Sequence, residues 1–220
     1  MTHGVILLTY PARYVRTYNM NRLAPPAETI TNGDGRVARA TKPIHRSAVV
    51  WLTGLSAAGK STIARHVADE LQTQGRRTHV LDGDELRSGL CSDLGFSLED
   101  RAENVRRAAE VARVLFATDL TVLCTFISPL EIDRSAARSI VGGEDFLEVY
   151  VQTPLEECIA RDPKGLYRRA LNGEIPNFTG ISSPYEAPLN PELVIDTSGQ
   201  TLDACVRSVL ELLDAHTSRP

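Results

Sequence analysis

One unbroken run, Gly54-Leu55-Ser56-Ala57-Ala58-Gly59-Lys60-Ser61-Thr62, carries the most specific chemistry in this chain. It fits G-x-x-x-x-G-K-[ST] at every fixed position, the pattern of a loop that cradles a polyphosphate. Backbone N–H groups of such a loop point inward at the phosphates, and the N-terminus of the following helix adds partial positive charge. Lys60 then reaches the β- and γ-phosphates, and the Ser61 hydroxyl is placed to ligate Mg²⁺. By itself the loop says only that a nucleotide binds.

Two carboxylates narrow the reaction. Asp82 and Asp84 stand just after an apolar run, at the carboxyl end of a strand, where open α/β sheets bind ligands. There they can hold the water shell of Mg²⁺ and take a proton from an attacking hydroxyl. Asp82-Gly83-Asp84 is also good turn and helix-cap chemistry, and the residues alone leave both readings open. A later apolar run ends in Ile127-Ser128-Pro129, with no acid where a Walker B aspartate would stand. That puts more weight on Asp82 and Asp84. Arg87, Arg101, Arg106 and Arg107 follow closely, and guanidinium forks suit phosphate and sulfate oxygens. Salt bridges to Glu99, Asp100 and Glu103 are expected to occupy two of the four.

The elements that position these groups alternate. Residues 48–53 form a short apolar strand before the loop, and Ile63, Val67 and Leu71 mark one face of the helix after it. That helix should end near Gly75, with Arg76 and Arg77 complementing its dipole. Thr78–Leu81 reads as a second strand, Thr121–Ile127 as a third and Phe146–Val151 as a fourth. A helix is expected from Glu103 to Phe116. Thr153-Pro154-Leu155-Glu156 reads as a capping box opening another. Residues 161–191, rich in Gly, Pro, Asn and Ser, are longer than a passive connection and read as a substrate lid. Leu193–Asp196 closes the sheet, and Leu202, Val206, Val209, Leu210 and Leu213 mark a last helix. The fold class is α/β, a parallel sheet with helices on both faces.

The 220 residues, 42% hydrophobic and 24% charged, suit one soluble domain with an extension. A net charge of −4 offers no electrostatic case for nucleic acid or an anionic membrane, so any anion site must be built locally. No apolar run approaches the ~20 residues of a membrane-spanning helix. Cys91, Cys124, Cys158 and Cys205 form no C-x-x-C pair and suit a reducing cytoplasm. Residues 1–47 differ from the rest: prolines break any long helix, arginines outnumber acids and serine is nearly absent. They read as a poorly ordered or partner-binding arm, with organelle targeting the lesser alternative. Residues 48–220 form the catalytic domain.

The longer motifs carry a family resemblance. The loop, the run Leu81-Asp82-Gly83-Asp84-Glu85-Leu86-Arg87-Ser88-Gly89-Leu90, the runs at 93–97 and 100–107, Ile127-Ser128-Pro129, Asp162–Tyr167 and Phe178–Pro188 resemble adenylylsulfate (APS) kinases, in the family's order over about residues 48–215. The resemblance implies a P-loop NTPase fold. It also implies transfer of the ATP γ-phosphoryl to the 3′-hydroxyl of APS, giving PAPS and ADP in sulfate assimilation. Gly54 to Thr62 would hold ATP, with Ser61 and Asp84 on Mg²⁺ and Lys60, Asp82, Asp84 and Ser128 catalytic, Asp82 being the base. Arg87, Arg101 and Asn104 would hold the phosphosulfate, helped by Ile127 and Ser128, with Lys164 and Leu166 contributing from the lid.

Phe96 and Phe178 would sandwich the adenine. Each sits among polar and glycine residues, poorly placed for a core and well placed for a ligand. Ser128 occupies the family's phosphoserine position, although in-line transfer needs only positioning and charge neutralisation. A homodimer and association with ATP sulfurylase are implied too. The chain departs from the pattern at Ala57, commonly glycine, at Leu130-Glu131, usually Tyr-Arg, and in lacking a Trp-His lead-in. Two other readings stay open: a kinase for another small hydroxylated metabolite, such as a sugar acid or nucleoside, and a non-catalytic nucleotide-binding relative of a sulfurylase–kinase fusion.

Overall fold

The computed structural model describes residues 46–218, together with 30, 31, 37 and 38. Ile30–Thr31 (β1) and Val37–Ala38 (β2) pair antiparallel and belong to a compact unit spanning Met1–Ile44. Apart from these strands and residues 46 and 47, the arm expected over residues 1–47 lies outside the described residues.

The second unit, His45–Pro220, is built on a sheet of five parallel strands. They are β3 (Val49–Thr53), β4 (Thr78–Asp82), β5 (Thr121–Thr125), β6 (Phe146–Gln152) and β7 (Leu193–Asp196), in the spatial order β4-β5-β3-β6-β7. The helices are α1 (Lys60–Thr73), α2 (Gly83–Ser88), α3 (Leu98–Phe116), α4 (Glu131–Val141), α5 (Leu155–Arg161), α6 (Leu166–Leu171) and α7 (Leu202–Thr217). Among the described residues no helix is long and apolar enough to cross a membrane.

Side chains alternate across a strand, so the central β3 feeds two cores. Val50 and Leu52 join Leu123, Val149 and Ile195 against Ile63, Val67 and Leu71 of α1 and Val206, Val209 and Leu213 of α7. Val49 and Trp51 join Val122, Phe126 and Phe146 against Val105, Ala108 and Ala112 of α3 and Ala137 and Val141 of α4. The Trp51 ring stacks on Phe126 and Phe146, with centroids 4.9 and 5.6 Å away. Burial on both faces explains why β3, β5 and most of β6 read as continuous apolar runs.

All five expected strands are present, and the local corrections have local causes. α3 starts five residues earlier than Glu103, because Ser97 caps it by accepting the Asp100 N–H at 3.1 Å. β5 stops at Thr125, before Ser128 takes a positive φ of 37° and Pro129 offers no N–H. The capping box at Thr153 does not form: Pro154 is the N-cap of α5 and no side chain caps it. Arg76 and Arg77 do not serve the dipole of α1. Arg76 is buried and donates to Asp214 of α7 at 3.0 Å, while Arg77 donates to the Thr118 carbonyl at 3.1 Å. α2 answers to the helix-cap reading of Asp82, whereas α4 and α6 have no counterpart in the sequence reading, although Glu131 and Asp133 early in α4 and Arg138 late in it are ordinary helix-end charges.

Candidate active site

The site lies at the carboxyl ends of the strands, where β3 hands the chain to the loop. Gly54 has φ 151°, and a Cβ there would sit 2.5 Å from the Val151 carbonyl oxygen of β6. Only glycine lets the two backbones come so close. Ala57 follows at φ 61°, in the left-handed region that favours glycine, which gives the family's usual residue a physical reason. The loop is braced from beneath. Thr153 Oγ1 and Thr197 Oγ1 share a 2.6 Å hydrogen bond and lie 3.2 and 3.1 Å from the Ala58 carbonyl oxygen, which accepts the proton left over from the pair. Thr153 is therefore spent on the loop and not on α5. The Tyr167 hydroxyl donates to the Ser56 carbonyl at 3.0 Å.

Lys60 closes the loop on itself. Its Nζ donates to the carbonyls of Gly54 at 2.9 Å and Leu55 at 2.7 Å. Burial pulls its pKa from the ordinary 10.5 down to about 8, against the opposing charges of Asp82 and Asp84. An incoming polyphosphate restores the balance by offering the ammonium its missing counter-charge.

Asp82 does two jobs at the end of β4. Its Oδ1 accepts the Asp84 N–H at 2.9 Å and caps α2, and its Oδ2 accepts from Ser61 at 2.7 Å and Thr125 at 3.1 Å. The cap reading and the site reading therefore hold together. Burial pushes this carboxyl up, but the three hydrogen bonds outweigh it and hold its pKa below the usual carboxylate range. A carboxylate so well satisfied is ionised and held in place as an orienting acceptor.

Asp84 is exposed and pairs with Lys164. Among the described residues no cluster of three or more His, Cys, Asp or Glu could hold a metal alone. Ser61, Asp82 and Asp84 are nevertheless the sparse, all-oxygen set that Mg²⁺ uses when phosphates and waters complete its shell. The Lys164 ammonium on Asp84 shows that a cation is at home there. The residues fit Mg²⁺.

The four arginines sort as expected. Arg106 and Arg107 both pair with Glu103, and Arg107 also pairs with Asp93. Arg87 and Arg101 stay nearer the site. Arg87 donates to the Gly95 carbonyl at 2.9 Å and lies 4.5 Å from the Phe96 ring centroid. Arg101 ties three segments together, donating to the Phe96 carbonyl at 3.1 Å, the Thr179 hydroxyl at 2.6 Å and the Asn177 carbonyl. Asn104 is buried, and its Nδ2 has no hydrogen-bond partner among the described residues. A buried orphan donor one helical turn from Arg101 suits an anionic ligand.

Phe178 requires a correction. Its ring is buried in the core with α1 and α7, edge-on to Tyr167 at 5.1 Å. Hydrogen bonds from the N–H groups of Ile181, Ser182 and Ser183 to the Phe178 carbonyl fold a tight turn, and the ring goes inward. Polar and glycine neighbours marked the turn, not the direction of the ring. Phe96, 59% exposed, is the ring open to a ligand. Leu166 is partly buried against the same core. A cavity of about 560 Å³ lies between Leu55 of the loop and Gly180–Tyr185.

Ser128 sits at the turn after β5, 3% exposed, and its carbonyl accepts from Arg134 Nη1 at 2.8 Å. Glu131 is met by a cation of its own helix. Its carboxylate pairs with Arg134, which is buried and also donates to Glu148 at 2.8 Å. The far end of the expected lid is anchored: the Glu186 N–H donates to the Pro129 carbonyl, and the Glu186 carboxylate accepts the Glu131 N–H, both at 2.8 Å. Sequence reasoning missed Thr53, Thr125, Thr153, Thr197, Arg134 and Tyr185. Thr153 reads from the sequence as a helix cap and Tyr185 lies in the run Phe178–Pro188; the other four stand in no motif.

The family model for adenylylsulphate kinase matches residues 46–196. An adenylyl-sulfate kinase of Shewanella amazonensis is 50% identical over 194 residues, covering 88% of this chain and 96% of that protein. The bifunctional enzyme NodQ of Azospirillum brasilense is 47% identical over 212 residues, which span 96% of this chain and 33% of NodQ. The Mycobacterium tuberculosis APS kinase CysC, solved in complex with AMPPNP and APS, superposes with a TM-score of 0.75 at 48% identity. That match covers 77% of this chain and 98% of CysC.

Proposed function

The chain belongs to the adenylylsulphate kinase family, with the P-loop NTPase fold, and on that premise we propose that it transfers the γ-phosphoryl of ATP to the 3′-hydroxyl of APS, giving PAPS and ADP in sulfate assimilation. The observation that carries the reading is the intact loop, with the buried Lys60 ammonium on two loop carbonyls and Ser61 hydrogen-bonded to Asp82.

Each group then has a part. Loop N–H groups and Lys60 hold the β- and γ-phosphates, and Lys60 keeps its charge where the transition state accumulates negative charge. Ser61 and Asp84 would hold Mg²⁺, which when bound would supply positive charge to offset that of the phosphates. Asp82 orients the attacking 3′-hydroxyl and accepts its proton, and Lys164 turns from Asp84 to the phosphates. Arg87, Arg101 and Asn104 take the phosphosulfate, with Ile127 and Ser128 behind them, and Phe96 stacks on the adenine. Within the segment expected as a lid, the exposed Lys164 would reach the phosphates, while Tyr167 and Phe178 hold the chain against the core and Tyr185 and Glu186 fasten its far end. The reading carries with it a cytoplasmic homodimer able to associate with ATP sulfurylase.

A coupled ADP-release assay with APS, gluconate and nucleosides tests this. Turnover is expected with APS alone, and Lys60→Ala should lower kcat by at least about a hundredfold. Near-normal kcat in that variant would remove the kinase reading.

A further inference from the structure

Thr53, the last residue of β3, is fully buried beside the loop. Its hydroxyl donates to the Ile127 carbonyl at 2.7 Å and accepts from Ser128 Oγ at 3.0 Å. The Tyr185 phenol lies 3.0 Å away and, with the Thr53 proton already placed, is the donor of that bond. One proton given and two received saturate a hydroxyl. Ser128 is held equally well. Its oxygen accepts the Trp51 indole N–H at 3.1 Å, so its one proton goes to Thr53. A substrate oxygen that wants a hydrogen bond from Ser128 must take that proton away from Thr53.

We propose that Tyr185 is a positioning residue that frees the Ser128 proton for an anionic substrate oxygen, by keeping the buried Thr53 hydroxyl supplied with a donor. With the phenol present, Thr53 remains satisfied when Ser128 turns outward. Without it, the same movement leaves a buried oxygen with no donor, and the desolvation cost is charged against substrate binding. Tyr185 is built to stay in place. Its ring stacks on Tyr150 at 5.9 Å, the Arg134 guanidinium lies 5.9 Å from its centroid, and the neighbouring Glu186 is bonded to Pro129 and Glu131. Burial raises the pKa of the phenol, so it remains a donor.

The proposal rests on Ser128 lying in the APS site, and the test separates the two. The full-length wild type, Tyr185→Phe, Ser128→Ala and the double variant are compared for APS and ATP kinetics and for thermal stability. Tyr185→Phe keeps the ring and its stacking, and should raise the KM for APS roughly tenfold. kcat, the KM for ATP and the melting temperature should change little. In the Ser128→Ala background the same substitution should add nothing, because there is no proton left to release. Equal effects in both backgrounds, or a fall in melting temperature with an unchanged KM, would overturn the role of Tyr185 while leaving the functional reading intact. A wild type that turns over ATP without APS would overturn both.

Discussion

The Trp51 indole N–H donates to the Ser128 hydroxyl at 3.1 Å, and Ser128 in turn donates to Thr53 at 3.0 Å. These partners supply no base. Thr53 is saturated, and indole is only a donor. A serine that carries a phosphoryl group needs a neighbour to take its proton, so the bonds point to Ser128 as a binding group. Ser128→Ala is expected to keep measurable kcat and to raise the KM for APS by roughly tenfold, the ~1.4 kcal/mol of one good hydrogen bond. The wild type should retain no label from γ-labelled ATP after denaturation. Acid-stable label that disappears in the variant would establish the covalent route instead.

Lys60 makes nucleotide binding depend on pH. Its pKa is about 8 in the free protein, and a bound polyphosphate raises it. Binding therefore takes up a proton, and affinity falls as pH rises through about 8. Without nucleotide the sign reverses. An unfolded lysine keeps its proton up to about 10.5, so Lys60 makes the fold more stable as pH climbs from about 8 towards that value. Calorimetry of MgADP binding in two buffers of different ionisation enthalpy should show fractional proton uptake near pH 8 and little at neutrality. Zero uptake at both would mean that Lys60 stays charged in the free protein.

The two phenylalanines should now behave differently. Phe96→Ala removes an exposed ring and is expected to raise the KM for APS roughly tenfold at unchanged melting temperature, in line with base–aromatic stacking of ~1–3 kcal/mol. Phe178→Ala empties a core position and should destabilise the protein by about 3 kcal/mol, which for a chain of this size lowers the melting temperature by about 10 °C. A large KM effect from Phe178→Ala with unchanged stability would restore the two-sided clamp.

Ala57 holds a left-handed conformation at φ 61°. An L-residue there costs about 1–2 kcal/mol, and glycine gives back about 0.5–1 kcal/mol as lost chain entropy. Ala57→Gly is therefore expected to stabilise the nucleotide-free protein by up to about 1 kcal/mol in a denaturation curve. A loss of stability would show that the Ala57 methyl, packed against the core, is worth more than the strain.

The sequence by itself determined the phosphate loop, the five strands and the division of the four arginines. Each is a local matter: a fixed spacing of glycines and lysine, a run of apolar residues, or charges three and four positions apart on one helix turn. Asp82 was legible for the same reason, because it is both the end of a strand and the cap of the next helix. The tertiary structure decided the rest. Thr53, Ser128 and Tyr185 are brought together by bonds that span 75 and 132 residues. No periodicity records such a partnership, and a threonine at the end of a strand looks the same whether or not its hydroxyl is saturated. The direction of the Phe178 ring was equally hidden. Polar neighbours and glycine fix that a turn occurs, whereas the packing of Tyr167 and the helices on that face fixes which way the turn points its ring.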